Sequence, residues 1–311
     1  MKLILVALYL VLGLNSVYAM SAAQPKGDFH LFDIENKAGK YTPAVIEKAF
    51  AENGFYISAN SEMNEPFKIQ FQETSFKVMT LLTVFHEAYS EELVKKHPSA
   101  GIFVPMGVGI YQAKDDDNLH VAVLTAEAQE KILGFKDELL HKIEKATIAT
   151  LNKALPGANM KGSKQALKAE GPLVTKFEME VDEDWAEAKD ELQMIIEDGF
   201  KPAGFVMSNF TEYNYMLTKE ETVDSPFDFY DTYSICKLKV IYTVSKTNPE
   251  AAAFAPCTLM FYKKKGENKI VMGFPGVYNW MSSAYVQNPE AKAVLMKAQT
   301  DFETILREAT E

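Results

Sequence analysis

Two cysteines, Cys236 and Cys257, are the residues of this chain best suited to redox or soft-metal chemistry. If the segments around them are strands, side-chain alternation places both thiols on an apolar face. A disulfide is one interpretation, provided that the two Cα atoms lie within about 7 Å of each other. A pair of buried free thiols is the second. The third is a Cu(I) site, because thiolate and thioether ligands suit that ion and Met106 occupies the position in a first repeat that Cys257 occupies in a second.

Histidines and carboxylates form no familiar catalytic motif in the sequence. His86 is followed by Glu87, but the second histidine that a zinc-protease helix carries four residues after the first is missing. The run DDD at 115–117 lacks the glycine and the spaced oxygens of a calcium loop, so it is interpreted as a solvated turn. The acidic run at 178–191 leads into a helix N-terminus, where negative charge is favoured. Patterns for a serine-hydrolase elbow, a phosphate-binding loop, a dinucleotide site and a haem site are also missing.

An enzymatic function would need a histidine to meet carboxylates that are distant in the sequence. His86, His97 and His120 are the candidates, although His97 ends the basic run KKH and is most simply solvated. Sequence spacing assembles no acid–base set around them. We therefore expect no catalytic residues, no metal and no cofactor.

The N-terminus has the pattern of a secretory signal peptide. Lys2 precedes an apolar run at 3–14, and Val17 and Ala19 are small residues at the positions that signal peptidase requires. The run is shorter than a membrane span, and an uncleaved anchor is the alternative. We expect cleavage after residue 19, no membrane span thereafter, and a periplasmic or secreted protein.

The charge of the chain excludes one class of partner. The formal net charge of −11 becomes −12 once Lys2 is removed with the signal peptide. Nucleic-acid binding requires clustered lysine and arginine to neutralise phosphates, and attraction to anionic lipids requires the same. We expect a small molecule or a periplasmic protein as the partner, and no nucleic acid.

The chain repeats one phrase. FVPMGVGIY at 103–111 matches FAPCTLMFY at 254–262 with an offset of 151 residues. FDIE at 32–35 matches FEME at 177–180 with an offset of 145, which also aligns the Gly-Phe pairs at 54–55 and 199–200. The two offsets differ by six residues, which predicts a net insertion of six residues in the second copy. Similarity of this length in the same order indicates a duplication.

The duplication predicts the domain boundaries. After the signal peptide at 1–19, we predict a first repeat domain at 27–155 and a second at 173–311. The segment at 156–172 has the glycine, proline and lysine content of a surface linker.

Each copy is predicted to have the order β-α-β-β-(short α)-β-β-α. In the first copy, FHLFDIE alternates as a strand, and Thr42-Pro43 starts a helix that stops at Gly54. FYISA, FKIQF and KVMTLLTVFH are predicted strands, followed by the short helix SEELVKKH, a hairpin, and a long amphipathic helix. In the second copy, ICKLKVIYTV is the predicted counterpart of KVMTLLTVFH.

The hairpins suggest a candidate surface. In an antiparallel hairpin the numbers of paired residues have a constant sum, and a sum of 231 puts Tyr111 opposite His120 on the face away from the helices. In the second copy that face holds Met260 and Tyr262. Small residues beside these side chains leave room for a ligand or a partner. The alternative is that these faces pack on each other or on the linker, since large exposed apolar faces are rare.

The order of elements, with GF after the first helix and the Pro-led hairpins FVPMGVGIYQAKDDDNLHVAV and FAPCTLMFYKKKGENKIVMGF, resembles the domain-of-unknown-function 302 family. The resemblance covers nearly all of the chain after the signal peptide. It implies an α+β fold of two repeated two-layer domains, each an antiparallel sheet with helices on one face, like TATA-binding protein. It implies no activity. A tandem copy of such a domain is naturally a pseudo-dimer.

Two function classes follow. The first is an exported, non-enzymatic binding protein that holds a small apolar ligand or a protein partner on the sheet or between the repeats. The second is a redox- or metal-linked accessory protein that uses Cys236 and Cys257.

Overall fold

The computed structural model describes residues 27–164, 168, 171–182, 184–213 and 225–310, which form two α+β units. The first unit has a six-stranded antiparallel sheet in the order β2-β3-β4-β5-β1-β6. Its elements are β1 (Phe29–Glu35), α1 (Pro43–Ala51), β2 (Phe55–Glu62), α2 (Asn64–Phe71), β3 (Phe76–His86), α3 (Glu87–Lys96), the 3-10 helix η1 (Pro98–Phe103), β4 (Met106–Ala113), β5 (Asn118–Leu124), α4 (Ala126–Leu133), α5 (Glu138–Ala154) and β6 (Asn159–Gly162).

The second unit repeats this order around a five-stranded antiparallel sheet, β7-β11-β10-β9-β8. The predicted fold class, two repeated α+β domains with antiparallel sheets, is therefore confirmed. The elements of the second unit are β7 (Val174–Glu180), α6 (Trp185–Phe200), β8 (Phe205–Glu212), β9 (Phe227–Lys237), α7 (Leu238–Ser245), the 3-10 helix η2 (Pro249–Phe254), β10 (Cys257–Lys264), β11 (Lys269–Pro275), α8 (Tyr278–Ser283) and α9 (Pro289–Thr310).

Local sequence signals account for the first helix. The Thr42 side chain accepts a hydrogen bond from the backbone N–H of Val45, and Pro43 occupies the first turn, where a missing N–H costs nothing. The helix buries Ile46 and Phe50 against the sheet. Burial of a phenylalanine side chain of this kind contributes roughly 1.5–3 kcal/mol.

Two predicted strands are helices. FKIQF lies in α2, because the Glu62 carboxylate accepts hydrogen bonds from the backbone N–H groups of Asn64 (2.7 Å) and Glu65 (3.0 Å) and so caps a helix. The predicted strand ICKLKVIYTV ends at Lys237, and its remainder is α7. The buried residues of α7 run without a break from Val240 to Ser245, and periodicity does not distinguish a short buried helix from a buried strand.

The position of the insertion also needs correction. The counterpart of Gly54 is Gly204, not Gly199, since both Gly54 and Gly204 have a left-handed φ (81° and 79°) directly before an edge strand. Gly199 instead lies within α6. The matching offset at this point is 150 residues, so five of the six inserted residues precede Gly204, where α6 has 16 residues against nine in α1.

The predicted hairpin register is confirmed. Gly109 pairs with Ala122, Ile110 with Val121 and Tyr111 with His120. The segment predicted as a linker, 156–172, contributes β6, which pairs antiparallel with β1 at the outer edge of the first sheet.

The two units pack reciprocally, each through its short 3-10 helix. η2 of the second unit lies on β4, where a Cβ atom at Gly107 would meet the Ala253 carbonyl oxygen at 2.5 Å. η1 of the first unit lies on β10 and β9, where a Cβ atom at Gly101 would meet the Tyr230 hydroxyl at 1.8 Å. In each unit, the sheet face that points away from the long helices therefore packs against the other unit. One of the two interpretations of the sequence predicted packing of this kind.

Hydrogen bonds fix the register of this interface. The Tyr230 hydroxyl donates to the Pro98 carbonyl oxygen, and the Thr258 hydroxyl donates to the Pro105 carbonyl oxygen at 3.0 Å. Buried Asp28 accepts a hydrogen bond from Ser283 (2.7 Å) across the same boundary. No helix in the described part of the chain is long and apolar enough to cross a membrane.

We expect Gly107→Ala to lower the free energy of unfolding by about 1–3 kcal/mol, the range for an overpacked interior. The added methyl group would press on backbone atoms of η2 rather than on a flexible side chain. Urea unfolding measures this loss. Gly273→Ala is the control, because its new methyl group would mainly meet the movable end of Met260 (2.9 Å) and should cost less. Equal losses would contradict the tight reciprocal contact.

Candidate functional site

A cleft of about 320 Å³ opens at the boundary of the two units. It lies over the face of β1, β4 and β5 that points away from the long helices, and the first residue of η2, Pro249, closes one side. Its apolar walls are Leu31, Phe76, Tyr111, Ala113 and Pro249, and its charged residues are Asp33, Asp116, His120 and Lys161.

Sheet register explains why these side chains meet. Tyr111 on β4 pairs with His120 on β5, which in turn pairs with Asp33 on β1, so the three form one row across the sheet. Lys161 on β6 is opposite Leu31, two pairs from Asp33 and on the same face, and its ammonium group reaches Asp33 Oδ2 at 2.5 Å. Strand pairing thus brings together residues that are up to 128 positions apart.

The imidazole of His120 is held on both sides. Nδ1 lies 2.6 Å from Asp33 Oδ1, and Nε2 lies 2.7 Å from Asp116 Oδ2. The ring stacks on Tyr111 with 5.1 Å between centroids. Each ring nitrogen therefore lies within hydrogen-bond distance of its own carboxylate.

Hydrogen bonds and burial shift the pKa values of the titratable groups around His120. The backbone N–H of Asn118 and the His120 ring lower the pKa of Asp116 below its ordinary value of 3.8. Burial raises the pKa of the Tyr111 hydroxyl well above 10, with a further contribution from the nearby carboxylate of Glu250. Burial also raises the pKa of Glu250 itself. Tyr111 is therefore a neutral hydrogen-bond donor at physiological pH.

The corresponding positions of the second unit have different chemistry. Val271 occupies the place of His120, opposite Tyr262. Tyr262 stacks on Tyr230 (5.2 Å), and Met260 is fully buried in the interface between the units. Of the four predicted binding residues, Tyr111 and His120 thus border the cleft, whereas Met260 and Tyr262 pack inside the interface.

The remaining histidine candidates lie elsewhere. His86 accepts a hydrogen bond from the backbone N–H of Tyr89 at the start of α3, and its ring stacks on the Tyr89 ring. His97 is not simply solvated, because Nε2 lies 3.0 Å from Asp137 and the ring stacks on Phe135. Neither lines the cleft.

Both cysteines are free thiols in the structure. The predicted strand ICKLKVIYTV would have placed Cys236 on one face with Leu238 and Val240, but β9 ends at Lys237 and these two residues lie in α7. Cys257 on β10 pairs with Ile235 of β9. Burial raises the pKa of Cys236 to about 11 and that of Cys257 to about 12. Both border an apolar cavity of about 40 Å³ in the second unit.

The described residues contain no group of three or more histidine, cysteine, aspartate or glutamate side chains arranged to hold a metal ion. Met106, the repeat counterpart of Cys257, is buried in the core of the first unit.

Sequence reasoning missed part of the cleft. Asp33, Lys161 and Pro249 come from β1, from the predicted linker and from the other unit, and Asp116 was interpreted as part of a solvated turn. The register of β1 against β5 would have revealed Asp33, but nothing local in the sequence indicates that pairing.

Comparison with known proteins identifies the class of domain. Residues 177–309 match the family model described as "Domain of unknown function DUF302". The second unit of this chain therefore belongs to the DUF302 family, and the first unit repeats its element order. No curated protein matches the chain. Among solved structures, a match is the uncharacterized conserved protein DUF302 from Bacillus stearothermophilus, with 16% identity, 45% of this chain and 100% of that chain covered, and a TM-score of 0.35.

We expect Asp116→Asn to lower the free energy of unfolding at pH 7 by about 0.5–1 kcal/mol, the range for a partly exposed ion pair. The pKa of Asp116 is lowered in the folded state, so its stabilisation is present above its ordinary pKa of 3.8 and is lost as the pH falls below that value. The difference between variant and parent should therefore shrink at low pH, as urea titrations between pH 7 and pH 2.5 would measure. Asp117→Asn, at an exposed neighbouring position, should change little. A pH-independent difference would refute the ionic origin of the effect.

We expect both thiols to react with Ellman's reagent only when the protein unfolds. Burial and a raised pKa leave almost no thiolate at pH 8, and the thiolate is the reactive form. In urea without reductant, two thiols per chain should titrate. If thiols appear in urea only after a reductant is added, the cysteines are bridged and the free-thiol assignment is wrong.

Proposed function

We propose that this chain is an exported, non-enzymatic binding protein that holds a small ligand with an apolar body in the cleft between its two units. The observation that carries this proposal is the cleft itself: its volume of about 320 Å³ falls at the lower end of the range for small-molecule sites. Apolar walls with a few fixed polar groups are the usual composition of such sites.

The cleft chemistry favours a ligand of a particular shape. A flat or compact apolar portion would lie against Leu31, Phe76 and Pro249. A polar end would face Lys161 and the neutral Tyr111 hydroxyl. The described residues provide no hydrogen-bond acceptor for this hydroxyl. Since Lys161 is the outermost charge and its side chain is about half exposed, this end would lie at the mouth of the cleft.

The pairing of His120 with two carboxylates supports binding rather than catalysis. Both ring nitrogens are engaged by carboxylates, so the residue best placed for proton transfer is committed to holding the cleft floor. Export is proposed on the signal-peptide pattern of residues 1–19, which lie outside the described residues. A periplasmic protein that inserts an apolar side chain into the cleft is an alternative occupant of the same site.

The redox- or metal-linked alternative has less support. Its two thiols, Cys236 and Cys257, are buried and have raised pKa values, whereas reactive cysteines have exposed positions and lowered ones.

Native mass spectrometry of the mature protein, purified from its native host without denaturation, tests the proposal. We expect a fraction of chains to carry an additional mass of a few hundred daltons that is lost on denaturation. A bare polypeptide mass at every activation energy, in preparations that also show no ligand-induced thermal shift, would contradict a small-molecule role.

The duplicated chain offers its own control for the location of the site. His120→Val gives the first unit the residue of the second, and Val271→His makes the reciprocal change on the opposite repeat. We expect the first variant to lower the bound fraction at least tenfold, because Asp33 and Asp116 lose the group that orients them, and the second to leave it unchanged. Equal occupancy in both variants would place the ligand elsewhere.

A further inference from the structure

The strand β7 forms an edge of the second sheet, and its outer side has no strand partner among the described residues. The hydrogen bonds from Gly276 N to the Leu173 carbonyl and from Val181 N to the Asn268 carbonyl show that odd-numbered positions of this strand bond to β11. Because bonding alternates along an antiparallel strand, the N–H and C=O groups of Val174, Lys176 and Glu178 point outward.

The first unit shows what occupies this position. There β6 pairs antiparallel with β1, whose residues 30–33 correspond to 175–178 of β7 with the offset of 145. Ser163 N donates to the Phe29 carbonyl oxygen, so odd-numbered residues of β1 bond to the added strand. These correspond to the even-numbered, outward-pointing residues of β7. Among the described residues, this edge is therefore occupied at β1 and unpaired at β7.

Side chains at the open edge are less covered than their counterparts. Phe32 is fully buried and Met160 of β6 packs against the same core, whereas the equivalent of Phe32, Phe177, is only half-buried. An added strand with an apolar side chain opposite Phe177 would complete this packing.

The charges around the open edge are mainly acidic; the exceptions are Lys176, which is exposed on β7, and Lys269 of β11, which pairs with Glu178 at 2.9 Å. Glu178, the counterpart of Asp33, and Glu180 are exposed on β7. Asp182, Asp184 and Glu187 line a neighbouring groove of about 390 Å³. In the first unit Lys161 of the added strand lies opposite Leu31 and pairs with Asp33. Because Lys176 takes the place of Leu31 in the second unit, a basic side chain suits the position opposite Glu178 and not the one opposite Lys176.

We propose that β7 is a docking edge for an extended segment of a partner protein, which adds antiparallel to the sheet and carries an apolar residue opposite Phe177 and a basic residue opposite Glu178. Main-chain hydrogen bonds supply affinity in strand addition, and alternate side chains supply specificity. The segment takes the place at β7 that β6 takes at β1. This site is separate from the cleft and does not depend on it.

A second copy of the chain is a less suitable occupant. Pairing β7 with itself about Phe177 would put Lys176 opposite Glu178, but it would also bring the acidic grooves of two chains, each with a net charge of −11, to one border. A basic segment neutralises these carboxylates instead.

The test uses the full mature protein and a labelled peptide, Ala-Lys-Met-Glu-Gly-Ser-Lys, which is residues 158–164 with Asn159→Lys to face Glu178 and Lys161→Glu to face Lys176. Fluorescence anisotropy should detect binding that weakens as salt is raised. N-methylation at peptide positions 159 and 161, whose N–H groups would face β7, should lower affinity at least tenfold. N-methylation at positions 160 and 162, which face away, is the matched control and should have a much smaller effect.

Protein variants locate the site. Glu178→Lys should lower peptide affinity at least tenfold, whereas Glu65→Lys, an exposed charge reversal on α2 of the first unit, should not change it. Equal losses with both methylation patterns, or no loss with Glu178→Lys, would overturn the proposal. So would light scattering that shows a dimer of the parent chain which Glu178→Lys converts to a monomer, because a second copy would then occupy β7. The His120→Val variant should lose the cleft ligand and still bind the peptide. Failure of one proposal can therefore be distinguished from failure of the other.

Discussion

The close approach of each short 3-10 helix to the sheet of the other unit is the constraint on which this architecture depends. It requires bare backbone on both sides: Gly107 and Gly109 on β4 receive η2, and Gly101 within η1 lies under the ring of Tyr230. Side chains at these positions would hold the units apart. Because the contact is reciprocal, it covers the central strands of both sheets at once, and a single hydrophobic core extends across the boundary.

The same contact produces the cleft. Pro249 begins η2 beside Tyr111, at the point where the second unit stops covering the first sheet. The row of Tyr111, His120 and Asp33 lies just beyond that limit and faces open space. In the other half the equivalent row is Tyr262, Val271 and Glu178, and the Tyr262 ring stacks on Tyr230 with the two rings parallel to within 1°. Duplication has thus produced one copy of the surface that is packed and one that is open, with a histidine in the open copy and a valine in the packed one.

Much of the fold could be predicted from the sequence, because its signals are periodic and local. The hairpin register followed from alternation and a polar turn, and the duplication followed from two matching hairpins. The failures involve short apolar runs: in FKIQF, Phe67 and Phe71 suit a helical face as well as a strand, and the deciding Glu62 cap lies outside the run. The cleft was found only in part, since Asp33 and His120 are 87 residues apart and Pro249 belongs to the other unit. Such contacts are set by topology, which single-sequence patterns do not determine.

β6 has a consequence for attempts to divide the chain. The segment that tethers the two halves is also the last strand of the first sheet, so no cut between the halves is neutral. A first half that stops at Leu155 loses four residues of strand and leaves the backbone of β1 exposed, whereas a cut after Gly162 keeps that edge covered but still removes η2 from β4. The two halves of this protein are related by duplication and have similar folds, but neither is complete without the other. Isolated halves would associate through surfaces that are buried in the intact chain.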